Sequence, residues 1–140
     1  MLHAGVNSMS IGRCIYLNYH IGEFSKKVGL SIDTLRYYEK IGLIHPKRDG
    51  INRRIYCERD ISWLNFIFRL KDTNMPIKQI QYYSKLRYMG DTTLKERLKL
   101  LEKQMDRLHI QKSNIEDNIL HLEQKIGIYK EKIKEQEVDK

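Results

Sequence analysis

Ser31-Ile32-Asp33-Thr34-Leu35-Arg36-Tyr37-Tyr38-Glu39-Lys40-Ile41-Gly42-Leu43-Ile44 puts an arginine, two adjacent tyrosines and a threonine on one short stretch. Ser31 can cap a helix here by accepting a hydrogen bond from an unpaired N–H of the first turn. Gly42 sits where a left-handed residue closes one. Just upstream, Ile21, Phe24 and Val28 recur at i, i+3 and i+7, so residues 21 to 28 read as a short amphipathic helix ended by Gly29. Helix, three-residue turn, helix is the helix-turn-helix plan. On the second helix Ile32 and Leu35 are packing residues, which leaves Thr34, Arg36, Tyr37 and Lys40 wholly or partly on other faces. An arginine can fork onto phosphate or a guanine edge, and serine, threonine and tyrosine hydroxyls can donate to phosphate oxygens. Ser31, Thr34, Arg36, Tyr37 and Tyr38 are therefore candidate DNA contacts. A competing reading makes the tyrosine pair half-buried packing and Arg36 a solvated charge.

Tyr19-His20-Ile21-Gly22-Glu23-Phe24, Val28-Gly29-Leu30-Ser31, Thr34-Leu35-Arg36-Tyr37-Tyr38-Glu39, Ile41-Gly42-Leu43-Ile44-x-Pro46 and Arg54-x-Tyr56 occur in this order. Together they resemble the MerR family of bacterial transcription regulators, over most of the chain from about Tyr19 onward. Spacing and composition alone reach only a basic, dimeric helix-turn-helix DNA-binding protein. The resemblance implies more: a wing beside the helix-turn-helix, antiparallel pairing of a long C-terminal helix, and a promoter that the dimer bends and untwists so that RNA polymerase can engage it.

The charge is distributed accordingly. The chain of 140 residues carries a formal net charge of +8. Residues 19 to 88 hold 14 Lys and Arg against 7 acids, while residues 89 to 140 hold 11 of each. The positive excess thus lies with the helix-turn-helix, as expected if that part alone meets a polyanion. No segment approaches the roughly 18 apolar residues of a membrane-spanning helix. The N-terminus lacks the organisation of a signal peptide, so the expected location is the cytoplasm.

Residues 1 to 18 read as a flexible tail and residues 19 to 88 as the DNA-binding domain. Within that domain Asp49-Gly50 is a turn signal, and its short flanks can pair as a hairpin. Lys47, Arg48, Arg53, Arg54 and Tyr56 gather on this hairpin as candidate phosphate contacts. Glu58 to Lys71 reads as a helix with Ile61, Leu64, Ile67, Phe68 and Leu70 inward and Trp63 as a packing anchor beside Phe66. Asp72-Thr73-Asn74 breaks it, and Pro76 suits the first position of the next helix. That helix carries Ile77, Ile80 and Tyr83 and runs to about Arg87; Lys78 near its start is a further candidate phosphate contact. Thr93 and Glu96 have capping-box spacing.

From there Leu94, Leu98, Leu101, Met105, Leu108, Lys112, Ile115, Ile119, Leu122, Ile126, Tyr129 and Ile133 alternate spacings of four and three, the a/d seam of a coiled coil. A helix over residues 91 to 134 is about 60 Å long at 1.5 Å per residue. It is too long to bury its stripe on so small a head, so a second copy is the expected partner, with residues 135 to 140 as a C-terminal tail. Lys112 alone interrupts the seam. The expected fold class is thus mainly α: a winged helix-turn-helix head with a small β wing, followed by a long coiled-coil dimerisation helix.

No metal site or cofactor is expected. No cysteine follows Cys57, and His109 and His121 are about 18 Å apart by helical rise, too far to share an ion within one chain. Trp63-Leu64-Asn65-Phe66-Ile67, Met75-Pro76-Ile77-x-x-Ile80 and Gly90-Asp91-x-Thr93-x-x-x-Arg97 resemble the aldehyde- and electrophile-responsive branch of the family. The cysteine usual to that branch is absent, since the corresponding part reads Phe66-Ile67-Phe68-Arg69-Leu70. Cys14 and Cys57 are expected to be reduced thiols. Cys57, close in sequence to Arg53, Arg54 and Arg59, is the candidate thiol sensor. No constellation suited to catalysis is present, so the chain is not read as an enzyme. The alternative function is a coiled-coil adaptor for protein partners, which has no need of a basic head.

Overall fold

The computed structural model describes residues 17–139, which form a head and a long helix. In chain order the elements are β1 (Asn18–Tyr19), α1 (Ile21–Val28), α2 (Ile32–Lys40), β2 (Lys47–Arg48), β3 (Arg54–Cys57), α3 (Glu58–Asp72), α4 (Ile77–Met89), a 3-10 turn (Asp91–Thr93) and α5 (Leu94–Val138). The chain divides into two compact units after Leu101, so the first two turns of α5 belong to the head.

The helix-turn-helix forms for the local reasons anticipated. Gly29 adopts φ 71° and its N–H bonds to the Ser25 carbonyl, the left-handed close that a side chain would strain. Ser31 Oγ accepts from the Thr34 N–H at 3.0 Å and caps α2. Gly42, at φ 82°, turns the chain after α2, and Leu43 N–H returns to the Tyr38 carbonyl at 2.9 Å. Leu43 and Ile44 then enter a core made with Phe24, Leu35, Tyr56, Trp63, Leu64, Ile67, Leu70, Met75, Ile80 and Tyr83.

The wing is a three-stranded antiparallel sheet in the order β1-β3-β2, with Tyr19 opposite Tyr56 and Arg48 opposite Arg54. Strand β1 was not anticipated, and it takes Asn18 out of the expected tail. Two residues are too few for alternation to register. Residues 1 to 16 of that tail, Cys14 included, lie outside the described residues. The wing turn is closed less by Gly50 than by Asp49, whose carboxylate accepts from the N–H groups of Ile51 at 3.0 Å and Arg53 at 2.8 Å. Its left-handed residue is Asn52, φ 64°.

In α3, Trp63 is the expected packing anchor: it is buried, stacks on Tyr83 and donates its indole N–H to the Leu43 carbonyl at 2.8 Å. Four readings need correction. Pro76 precedes α4 as its cap instead of opening it, and Ile77 is exposed. The Thr93 hydroxyl is not a helix cap: it is turned back to the carbonyls of Leu86 and Gly90, at 2.6 and 2.7 Å, and accepts from Arg97 Nε. A short hydroxyl can satisfy carbonyls of the preceding turn as readily as it caps the next helix. Finally, α5 continues to Val138, so residues 135 to 138 are helical and not tail.

Along α5 the seam residues Leu94, Leu98, Met105, Ile115, Ile119, Leu122, Ile126, Tyr129 and Ile133 are exposed, each by about half of its surface. Leu101 and Leu108 are half-buried, and Leu100 and Leu101 pack on the head's core.

Candidate nucleic-acid interface

Helix α2 is fixed to the head by its ends. Its N-terminus is capped by Ser31. Beyond its C-terminus the Ile41 carbonyl accepts from Gln81 Nε2 at 2.7 Å, and the Leu43 carbonyl accepts from both Trp63 Nε1 and Ser84 Oγ at 2.8 Å. Carbonyls that a helix end leaves unpaired are thus satisfied from α3 and α4. Gln81 and the buried Ser84 were missed from the sequence, because nothing in helical periodicity says that a polar residue will reach a carbonyl some 40 positions away.

Two open clefts flank α2. The first, about 370 Å³, is lined by His20, Ile21, Arg36, Arg48, Asn52, Arg53 and Arg54. It joins Arg36 of α2 to the wing's three arginines. The second, about 440 Å³, is lined by Asp33, Thr34, Tyr37, Tyr38, Ile41, Lys71 and Ile77. Tyr37 is 52% exposed, whereas Tyr38 is half-buried against the core and its hydroxyl accepts from Lys71 Nζ at 3.2 Å. Tyr38 thus packs in part on the core while still lining the cleft beside the exposed Tyr37. Lys71, on the last turn of α3, is a cation that sequence reading passed over because the helix was treated as core.

Ser31, Lys47 and Lys78 stand outside both clefts, exposed on the cap of α2, on β2 and on the first turn of α4. Tyr56 is the main departure. It is 1% exposed and stacked on Phe24 with ring centroids 4.2 Å apart. Its hydroxyl is buried without a hydrogen-bond partner among the described residues, and desolvation pushes the phenol up to about 12. A side chain so placed cannot reach a phosphate. Its position opposite Tyr19 in the central strand puts it on the core face of the wing.

Cys57 departs too. It is buried, only 7% exposed, so it is not the accessible thiol that a sensor needs. Its backbone N–H donates to Asp60 Oδ2 at 2.8 Å at the start of α3.

The wing arginines are held by acids. Glu39 of α2 accepts from Arg48 Nη2 at 2.9 Å and from Arg54 Nε at 2.5 Å. Asp49 pairs with Arg53 at 2.9 Å. The Asp49 carboxyl lies below the ordinary aspartate range, chiefly through the Arg53 backbone hydrogen bond. Glu39 had no role in the sequence reading. Its place three residues after Arg36, on the same helical face, was the available signal.

Residues 19–86 match the family described as MerR HTH family regulatory protein. An HTH-type transcriptional regulator of Haemophilus influenzae is 32% identical over 114 residues, 81% of this chain and 84% of its own. The chain belongs to the MerR family. The HTH-type transcriptional regulator YyaN of Bacillus subtilis is 32% identical over 133 residues, covering 86% of this chain and 96% of its own. The crystal structure of HiNmlR, described as a MerR family regulator lacking the sensor domain and bound to promoter DNA, superposes with a TM-score of 0.66 at 32% identity. It covers 82% of this chain and 92% of that one. This chain is accordingly a DNA-binding transcriptional regulator of the MerR type, a family of regulators and not of enzymes. Among the described residues, no helix is long and apolar enough to cross a membrane.

Proposed function

We propose that this MerR regulator acts in the cytoplasm as a homodimer on double-stranded promoter DNA, each copy reading one half of a palindromic site through α2. The convergence of Arg36 with Arg48, Arg53 and Arg54 on one open cleft carries the reading, because a guanidinium cluster on a recognition helix and its wing suits a sugar-phosphate track. Thr34, Tyr37, Tyr38 and Lys71 line the neighbouring cleft and serve as a second set of contacts. Ser31, Lys47 and Lys78 extend the surface.

The exposed stripe on α5 supports dimerisation through Leu94, Leu98, Leu101, Met105, Leu108, Ile115, Ile119, Leu122, Ile126 and Tyr129, since apolar side chains repeating at coiled-coil spacing are stable only when covered. The paired heads bend and untwist the promoter so that RNA polymerase can engage it. Such distortion costs several kcal/mol, which phosphate contacts at the wing offset. The resemblance of Trp63 to Ile67, Met75 to Ile80 and Gly90 to Arg97 to the electrophile-responsive branch supports a role in aldehyde or electrophile stress.

The test is an alanine substitution at Arg36, measured against a palindromic promoter fragment selected from a random pool by the wild-type chain. A loss of about 1–3 kcal/mol in affinity with an unchanged melting temperature is expected. Wild-type affinity in the variant would remove Arg36 from the interface.

A further inference from the structure

Glu39 is an acid in the middle of a surface read as phosphate-binding, and both of its carboxylate oxygens are committed. One accepts from Arg48 at 2.9 Å and the other from Arg54 at 2.5 Å. The three side chains are only 23–36% exposed, so these pairs are less screened than fully exposed ones. Arg48 and Arg54 face each other directly across β2 and β3, an arrangement that like charges disfavour. Glu39 offsets that repulsion, and in doing so it occupies two of the four arginines of the cleft. A phosphate must approach to hydrogen-bond distance before it can compete with a carboxylate already there. Loose electrostatic association, which rests on counterion release from neutralised phosphates, does not bring it so close.

We propose that Glu39 is a specificity-determining residue: its carboxylate withholds Arg48 and Arg54 from non-specific DNA and yields them only to phosphates seated at close range in the operator. The inference rests on the reading that this cleft faces DNA. Weak background binding and a high specificity ratio follow from the same ion pairs.

The experiment measures affinity and its salt dependence for wild type, Glu39→Gln, Arg48→Ala, Arg54→Ala and the two double variants, on random-sequence duplex and on the selected operator. On random duplex, Glu39→Gln tightens binding and steepens the slope of log K against log salt by about two, one per released arginine. Arg48→Ala and Arg54→Ala leave the wild-type slope on random duplex unchanged but weaken the Glu39→Gln protein, and both weaken wild-type binding to the operator. Should Glu39→Gln fail to fold, the wild-type background still decides. A fall of about one in the random-duplex slope on either arginine substitution means that the arginines were never withheld, and overturns the proposal alone. Unchanged operator affinity in both arginine variants overturns the cleft reading and the proposal with it.

Discussion

Replacing Tyr56 by phenylalanine separates a core residue from a DNA contact, since the two roles give opposite results. The ring stacks on Phe24 and is buried, while its hydroxyl is hidden from solvent without a hydrogen-bond partner among the described residues. Phenylalanine keeps the stack and removes a group whose unsatisfied burial costs about 1–3 kcal/mol. Stability at neutral pH is therefore expected to stay level or to rise by up to about 2 kcal/mol in urea unfolding.

The pH dependence gives the second measure. The phenol titrates at about 12 in the fold against an ordinary value of 10. The unfolded chain sheds this proton first, so the stabilisation is complete below pH 10, shrinks as pH rises, and is gone once the folded value is passed. Two units correspond to about 2.7 kcal/mol in full, of which about 2 kcal/mol is lost by pH ~11.5. Wild type should lose this much more than Tyr56→Phe between neutral pH and that point, and the two proteins should bind operator DNA alike by fluorescence anisotropy. A ten-fold weaker operator complex at unchanged stability would return Tyr56 to the interface and refute the reasoning.

Gly42→Ala should destabilise the head by about 1–2 kcal/mol, the cost of a Cβ in the left-handed region. No atom lies within 4 Å of the added carbon, so the cost is one of backbone and Gly42→Asn should recover part of it in the same melts. The wing turn should be acid-sensitive only late. Because the Asp49 carboxyl is lowered from 3.8, its stabilisation is complete above the unfolded value and is lost as pH falls through the lower folded one. Amide signals of Ile51 and Arg53 followed by NMR should move with a midpoint below 3.8, and a midpoint above it would contradict the Asp49 clasp.

The helix-turn-helix was legible because each of its features is local. Gly29, Ser31 and Gly42 set backbone geometry within a few residues, and Phe24 and Leu35 keep helical spacing. The long helix α5 was legible for a similar reason, since its apolar period repeats many times. What escaped depends on partners distant in sequence. Strand β1 exists only because β3 lies beside it, and Ser84 and Gln81 matter only because α4 packs under the exit of α2. Tyr56 and Arg54 both lie on β3, two residues apart, and sequence could not say that one would be buried on Phe24 while the other met Glu39. In the candidate site, the cations of the helix-turn-helix and wing could be named from sequence, which gave no sign of the acids that hold them.

The central claim is that two copies of this chain grip one palindrome through the arginine-bearing faces of their heads. Its most direct test is the stoichiometry and salt dependence of binding to the selected operator, compared with a fragment carrying one half-site. The account predicts two chains per palindrome, a steep fall in affinity with salt of roughly 0.9 log units per phosphate contact per tenfold salt, and much weaker binding to the half-site. One chain per fragment, with equal affinity for palindrome and half-site, would contradict it.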